Sequence, residues 1–162
     1  MNYIIREATE EDFPVILSLI KELATFEKSP EKVTNTVEQM KQEKDLFRCF
    51  VAETESEEII GMALWFFAYY TWVGKSLYLD DIYVKESYRK NKIGSALMNK
   101  IFQTARQENC KRLRWQVLSW NKPAIEMYSK LGAEIDEEWL NCSFDHNAIM
   151  KRKTDKKFNF TE

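Results

Sequence analysis

The sequence predicts an α/β (α+β) fold, a mixed central sheet with helices on both faces. Three observations carry this. The element signals run β-α-α-β-β-β-α-β-α-β-β along 162 residues, an order that places helices on both sides of one sheet. The run "IIGMALWFFAYY" is continuously apolar. It falls short of the ~20 residues needed to cross a bilayer and fits a central strand covered on both faces. No internal repeat, low-complexity stretch or linker interrupts the chain. Residues 1–152 are therefore expected to form a single domain, followed by a basic tail over 153–162.

The first strand is expected at Tyr3–Arg6. Thr9 offers an N-cap, and Glu10, Glu11 and Asp12 fill a first turn where the helix dipole favours anions. Phe13, Ile16, Leu17, Ile20, Leu23 and Ala24 then form one apolar stripe at helical spacing. Pro30 in "EKSPEK" disfavours continuation of that helix. A more polar helix follows over Thr36–Lys44. Strands are expected at Phe47–Glu53, Ile59–Tyr69 and Leu77–Val84, joined by "ETESEE" and "TWVGKS".

Ile93, Ala96, Leu97, Ile101 and Ala105 define a third helix, reaching about Glu108. Arg112–Val117 alternates as a strand. Asn121 suits the N-cap of a short helix over Pro123–Leu131, with Gly132 just past its end. Two last strands are expected at about Glu134–Asn141 and Ser143–Lys151, with "DHNA" as a turn or bulge in the second.

Composition narrows the function. A formal net charge of -2 argues against a dedicated nucleic-acid binder. Three cysteines without a CxxC pair, and one histidine, argue against a disulfide framework or a metal site and suit reduced thiols in the cytoplasm. The start "MNYIIREATEEDF" lacks the basic-then-apolar order of a secretory signal, and no membrane partner is expected.

The stretch with the clearest chemical pattern is "LYLDDIYVKESYRKNKIGSALM", a strand, a short basic loop and a helix start. Helix N-termini leave backbone N–H groups unpaired and carry partial positive charge, which suits a phosphate. Arg89, Lys90 and Lys92 add full charges there. The charge pattern alone also fits an ordinary connection carrying solvated lysines.

Two blocks show a resemblance. "SYRKNKIGSALM" resembles the acetyl-CoA loop of the GNAT N-acetyltransferases, Arg/Gln-x-x-Gly-x-Gly/Ala, with Arg89 first, Gly94 last and Lys92 at the middle Gly position. "NKPAIEMYSKLGA" resembles their later block, with Asn121, Ala124, Tyr128 and Gly132 at the matching positions. On "IREAT", "LIKELATFE" and "WVGKSLYLDDIYV" the chain is most similar to diamine acetyltransferases acting on spermidine and spermine, and to their thialysine-acetylating relatives, from Ile5 to about Ile149.

That resemblance implies a mostly antiparallel sheet of six to seven strands, splayed between the fourth and fifth, and acetyl-CoA as acetyl donor. Cofactor contacts would come from Ile82, Tyr83 and Val84 along the fourth strand. The loop would add Arg89, Lys90, Asn91, Lys92, Ile93, Gly94 and Ser95, and the later block Asn121, Ala124 and Tyr128. For Lys92, we expect strained torsions at a cost of about 1 kcal/mol, offset by its ammonium beside a phosphate.

Catalysis by resemblance rests on Tyr128 as general acid and Asp80 as the contact or base for the amine. A primary amine with a pKa near 10.4 must shed a proton before it attacks, and a tyrosine with a pKa near 10 holds one for the leaving thiolate. Phe26, Glu27, Trp72, Asp81 and Glu138 are the further substrate candidates. Asp80 and Asp81, adjacent on a strand, are expected to face opposite sides of the sheet. Tyr70 stands where the polyamine enzymes carry an Asp, which favours a shorter amine. The aromatics Trp65, Phe66, Phe67, Tyr69, Tyr70 and Trp72 fit a methylene channel, sheet core or a subunit interface. A homodimer is implied. A non-catalytic acyl-CoA-binding or protein-interaction module is the competing non-enzymatic reading.

Overall fold

The structure is a computed structural model that describes residues 1–152; the basic tail lies outside the described residues. These fall into two compact units, Met1–Gln116 and the segment from Val117 onward.

The first unit holds one five-stranded sheet in the order β1-β2-β3-β4-β5. Its strands are β1 (Tyr3–Glu7), β2 (Arg48–Thr54), β3 (Ile59–Tyr70), β4 (Gly74–Val84) and β5 (Arg112–Arg114). The first four run antiparallel to their neighbours, and β5 joins β4 in parallel. Helices α1 (Phe13–Phe26), α2 (Val37–Gln42) and α3 (Ile93–Gln107) complete this unit.

Helix α1 follows a short turn of 3-10 helix over Glu10–Asp12, for which Thr9 and Asp12 form a capping box. Asp12 also receives both terminal nitrogens of Arg6 at 2.7 and 2.9 Å, and the Arg6 Nε donates to Glu53. This ion network ties β1, β2 and the entry to α1 together. The stripe read from sequence is the buried one: Phe13, Ile16 and Leu17 pack with Met40 of α2 and with Cys49, Val51, Met62 and Tyr83 of the sheet. The Cys49 thiol is pushed up to about 12 by burial, so it serves the core and not as a nucleophile.

The other face carries Phe50, Ala63 and Trp65, and the buried side of α3 supplies Ile93, Leu97, Met98 and Ile101. Gly61 permits a close approach here. A Cβ on it would lie 2.9 Å from the Tyr83 carbonyl oxygen and 3.5 Å from Ile93.

Several boundaries differ from the sequence expectation. Helix α2 is shorter at its C-terminal end, its start set by the Thr36 hydroxyl accepting from the Gln39 N–H at 3.1 Å. Strand β4 begins at Gly74 because the hairpin ladder continues from Tyr69↔Lys75 to Tyr70↔Gly74. Strand β5 stops at Arg114, where its pairing with Tyr78 ends, so Trp115 to Val117 lie outside the strand.

The second unit contains α4 (Lys122–Lys130) and α5 (His146–Lys151). The two final strands expected there do not form among the described residues, which leaves five strands instead of six or seven. The Asp145 carboxylate accepts from the Ala148 N–H at 2.7 Å and so starts α5. "DHNA" is therefore a helix cap and not a strand bulge, because a short Asp side chain competes with ladder bonding. Gly132 does take the role expected of it: at φ 83 it follows α4, and its N–H bonds the Ser129 carbonyl at 3.0 Å.

Candidate active site

The β4–β5 ladder covers only Ser76–Tyr78 against Arg112–Arg114. Beyond that point no strand among the described residues pairs with the β5 side of β4, so Leu79 to Val84 lie along a sheet edge. Such an edge offers unpaired N–H and C=O groups to an extended ligand. Ile82, Tyr83 and Val84 lie in this stretch.

Asp80 sits in a β-bulge. Asp81 pairs with Leu64 and Leu79 with Trp65, which leaves Asp80 as the additional residue. The expected strict alternation of Asp80 and Asp81 therefore fails, since a bulge re-aims the side chains around it. Asp81 is half-buried and takes the same sheet face as Tyr83, towards α1. Its carboxyl is pushed up to about 7, first by burial and then by the charges of Asp80 and Glu27. Glu27, just past the end of α1, is raised by burial as well. Asp80 is shifted upward in the same sense, but its residue is exposed, so solvent weakens the effect. Fold and bulge thus gather Glu27, Asp80 and Asp81 into one acidic group.

The loop that follows is held by side chains. Glu58 accepts from the Tyr88 hydroxyl at 2.6 Å and from Lys85 Nζ at 2.9 Å. The Asn91 amide donates to the Tyr88 and Arg89 carbonyls at 3.1 and 3.3 Å. Lys90 and Lys92 both adopt left-handed backbone, with φ 66 and 61. Each carries a strain of about 1 kcal/mol, which the surrounding bonds sustain. Lys92 is the N-cap residue of α3 and supplies no side-chain cap, so the first amides from Ile93 to Ser95 remain available. Left-handed residues directly ahead of a helix turn successive backbone N–H groups towards one side, an arrangement that suits an anion. These features fit a pyrophosphate without requiring Gly at position 92.

Arg89 turns inward. Its Nε donates to the Val84 carbonyl at 3.2 Å, and its guanidinium lies 5.4 and 5.6 Å from the ring centroids of Phe26 and Tyr83. The Tyr83 hydroxyl donates to Glu22 at 3.3 Å. The sequence reading missed Glu22 and Glu58. Glu22 was detectable from its spacing of four from Phe26, which puts both on one helix face. Glu58 was not, because only the β3–β4 pairing brings it to the loop.

Trp72 occupies the β3–β4 turn, 83% exposed, about 20 Å along β4 from Asp81. The structure does not bring it to the acidic group.

In the second unit, the Asn121 side chain caps α4, accepting from the Ala124 N–H at 3.4 Å. Tyr128 is buried at 6% exposure, and burial raises the pKa of its phenol. Glu138 is exposed, and its N–H donates to Asp136 at 2.9 Å. Among the described residues, no helix is long and apolar enough to cross a membrane.

The first unit thus brings together a short parallel pair, a bulged acidic strand and a basic loop at a helix start. The chain belongs to the acetyltransferase (GNAT) family, whose profile matches residues 4–133, and it is an acetyl-transferring enzyme. It is 36% identical over 159 residues to the thialysine N-epsilon-acetyltransferase of Mus musculus, covering 90% of this chain and 94% of that one. It is 31% identical over 164 residues to a spermidine/spermine N(1)-acetyltransferase-like protein 1 of Homo sapiens, covering 93% of this chain and 24% of that protein. In fold it is similar to a possible acetyltransferase from Clostridium difficile 630, with a TM-score of 0.74 and 22% identity over 90% of this chain and all 100% of that one.

Proposed function

We propose that the protein transfers the acetyl group of acetyl-CoA directly to the side-chain amine of a lysine-like amino acid such as thialysine. The observation that carries this reading is the half-buried Asp81, with its carboxyl near pH 7, beside the open edge of β4. Acetyl-CoA supplies an activated thioester. Its pyrophosphate is assigned to the loop amides after Lys90, and its extended arm to the edge at Ile82–Val84.

A substrate ammonium is drawn to Glu27, Asp80 and Asp81. Asp80, exposed on the bulge, contacts it, and Asp81 accepts its proton, directly or through water. A carboxylate with a pKa near the working pH is best suited to this exchange. The freed nitrogen attacks the acetyl carbonyl, the C–N bond forms and the C–S bond breaks. The departing sulfur needs a proton donor, a role that family resemblance alone gives Tyr128, whose phenol burial holds above its ordinary pKa. Support for a lysine-like substrate over a polyamine comes from the thialysine-acetylating relative and from Tyr70 replacing a carboxylate.

The test is release of CoA thiol across thialysine, lysine, cadaverine and spermidine. Preferred turnover of thialysine or lysine supports the proposal. Preferred turnover of spermidine would move the assignment to polyamines. Acetyl-CoA binding without turnover of any amine would sink the catalytic reading.

A further inference from the structure

The sheet face that carries Asp81 leads to two arginines that no carboxylate among the described residues neutralises. Because of the bulge, Asp81 and Tyr78 lie two ladder rungs apart on that face, opposite Leu64 and Phe66, a spacing of about 7 Å. Arg114 is the direct partner of Tyr78 on β5, and Arg112 pairs with Ser76 two residues earlier. Both therefore share the face of Asp81. Their guanidinium carbons stand 5.6 and 5.4 Å from the ring centroid of Tyr70, which the β3 alternation places on the same face. Both arginines are half-buried. Among the described residues neither forms an ion pair with Asp or Glu.

The Tyr78 hydroxyl links the two ends electrostatically. After burial, Asp80 is the next influence raising its pKa, while Arg114 lowers it. One face thus runs from an acidic end through an aromatic floor of Phe66 and Tyr78, stacked at 5.1 Å, to a basic end. Partly buried charge without a counter-ion is unfavourable until an anion reaches it. The planar fork of a guanidinium matches a carboxylate in particular.

We infer that Arg112 and Arg114, framed by Tyr70, form a carboxylate subsite that selects an amino acid with a side-chain amine over a diamine or polyamine. In an extended lysine skeleton, six bonds of roughly 1.25 Å projected length separate the amine from the carboxylate carbon, about the two-rung spacing along the sheet. A polyamine would instead bring a second ammonium against two guanidinium groups. The inference rests on the amine-acetylating reading above and extends it to the substrate's other end.

The test compares thialysine with bis(2-aminoethyl) sulfide, the same molecule without its carboxylate. In the wild type, thialysine should show the lower KM. Arg114→Gln should raise the thialysine KM by about 10- to 100-fold, the range for a hydrogen bond to a charged group, with Arg112→Gln acting in the same direction. KM for the diamine and for acetyl-CoA should not change, and Arg114→Lys should restore part of the loss. Equal effects on both amines, or no effect on either, would overturn the inference. A rise confined to acetyl-CoA would also overturn it, by assigning the pair to a cosubstrate phosphate.

If the protein acetylates no amine, the functional proposal fails, and the subsite is read from ligand protection instead. Thialysine should then raise the Tm of the wild type but not of Arg114→Gln. Equal protection of both, or of neither, counts against the subsite.

Discussion

Replacing Asp81 by Asn should stabilise the protein, and by an amount that depends on pH. The Asp81 carboxyl has an ordinary value of 3.8 and is held at about 7 in the folded chain. Below 3.8 the group is protonated both folded and unfolded, and it contributes no penalty. Between 3.8 and about 7 the unfolded chain has released the proton while the folded chain retains it, so stability falls as pH rises. Above about 7 the folded group is ionised and the penalty is complete. At about 1.4 kcal/mol per pH unit, the full difference is about 4 kcal/mol. Asp81 is only half-buried, and water and local relaxation reduce this to about 2 kcal/mol.

Asn keeps the shape and removes the charge. Urea unfolding of wild type and variant at pH 4, 6 and 8 should therefore show a difference of only a few tenths of a kcal/mol at the lowest pH, roughly the start of the linkage curve. A gain of about 2 kcal/mol should appear at the highest, or about 1 M in midpoint for a slope near 2 kcal/mol/M. A pH-independent difference would refute the burial argument. The same variant should lose the rise in kcat/KM through pH 7 that a carboxylate base produces. Stability gained with activity lost is the signature of a group strained for its chemistry.

Further outcomes follow from the proposed chemistry. Tyr128→Phe should lower kcat by about 10² to 10⁴, the range for general acid catalysis; in single-turnover measurements unchanged chemistry would remove Tyr128 as the donor. Lys92→Gly relieves a left-handed residue at φ 61, a gain of about 1 kcal/mol that the greater freedom of Gly in the unfolded chain nearly cancels. Tm should therefore move by no more than a few degrees. Titration calorimetry should find acetyl-CoA affinity similar at low salt and less salt-dependent than in the wild type; a large loss would make the ammonium essential.

Much of the site was legible in the chain because it rests on local rules. The stripe from Phe13 to Leu23 follows helical spacing, Gly132 marks a helix end, and the apolar period from Ile93 marks a helix start. Those are properties of neighbouring residues, and a single segment carries them. The two terminal strands were misread for the complementary reason. A strand exists only with a hydrogen-bonded partner, and alternation over Glu134–Lys151 does not reveal whether one is present.

Residue order also determined that Asp80 and Asp81 are adjacent, that a lysine stands at position 92 and that a tyrosine stands at position 70. It could not determine what each side chain meets. The bulge at Asp80 is a matter of register between β3 and β4. The raised carboxyl of Asp81 comes from burial against an α1 that begins nearly seventy residues earlier. The meeting of Arg112 and Arg114 with Tyr70 follows from the parallel pairing of β5. Charge and shape are written in the residues, but burial, register and distance arise only when separate segments share a surface. Those three decide how a carboxylate titrates and which substrate it meets.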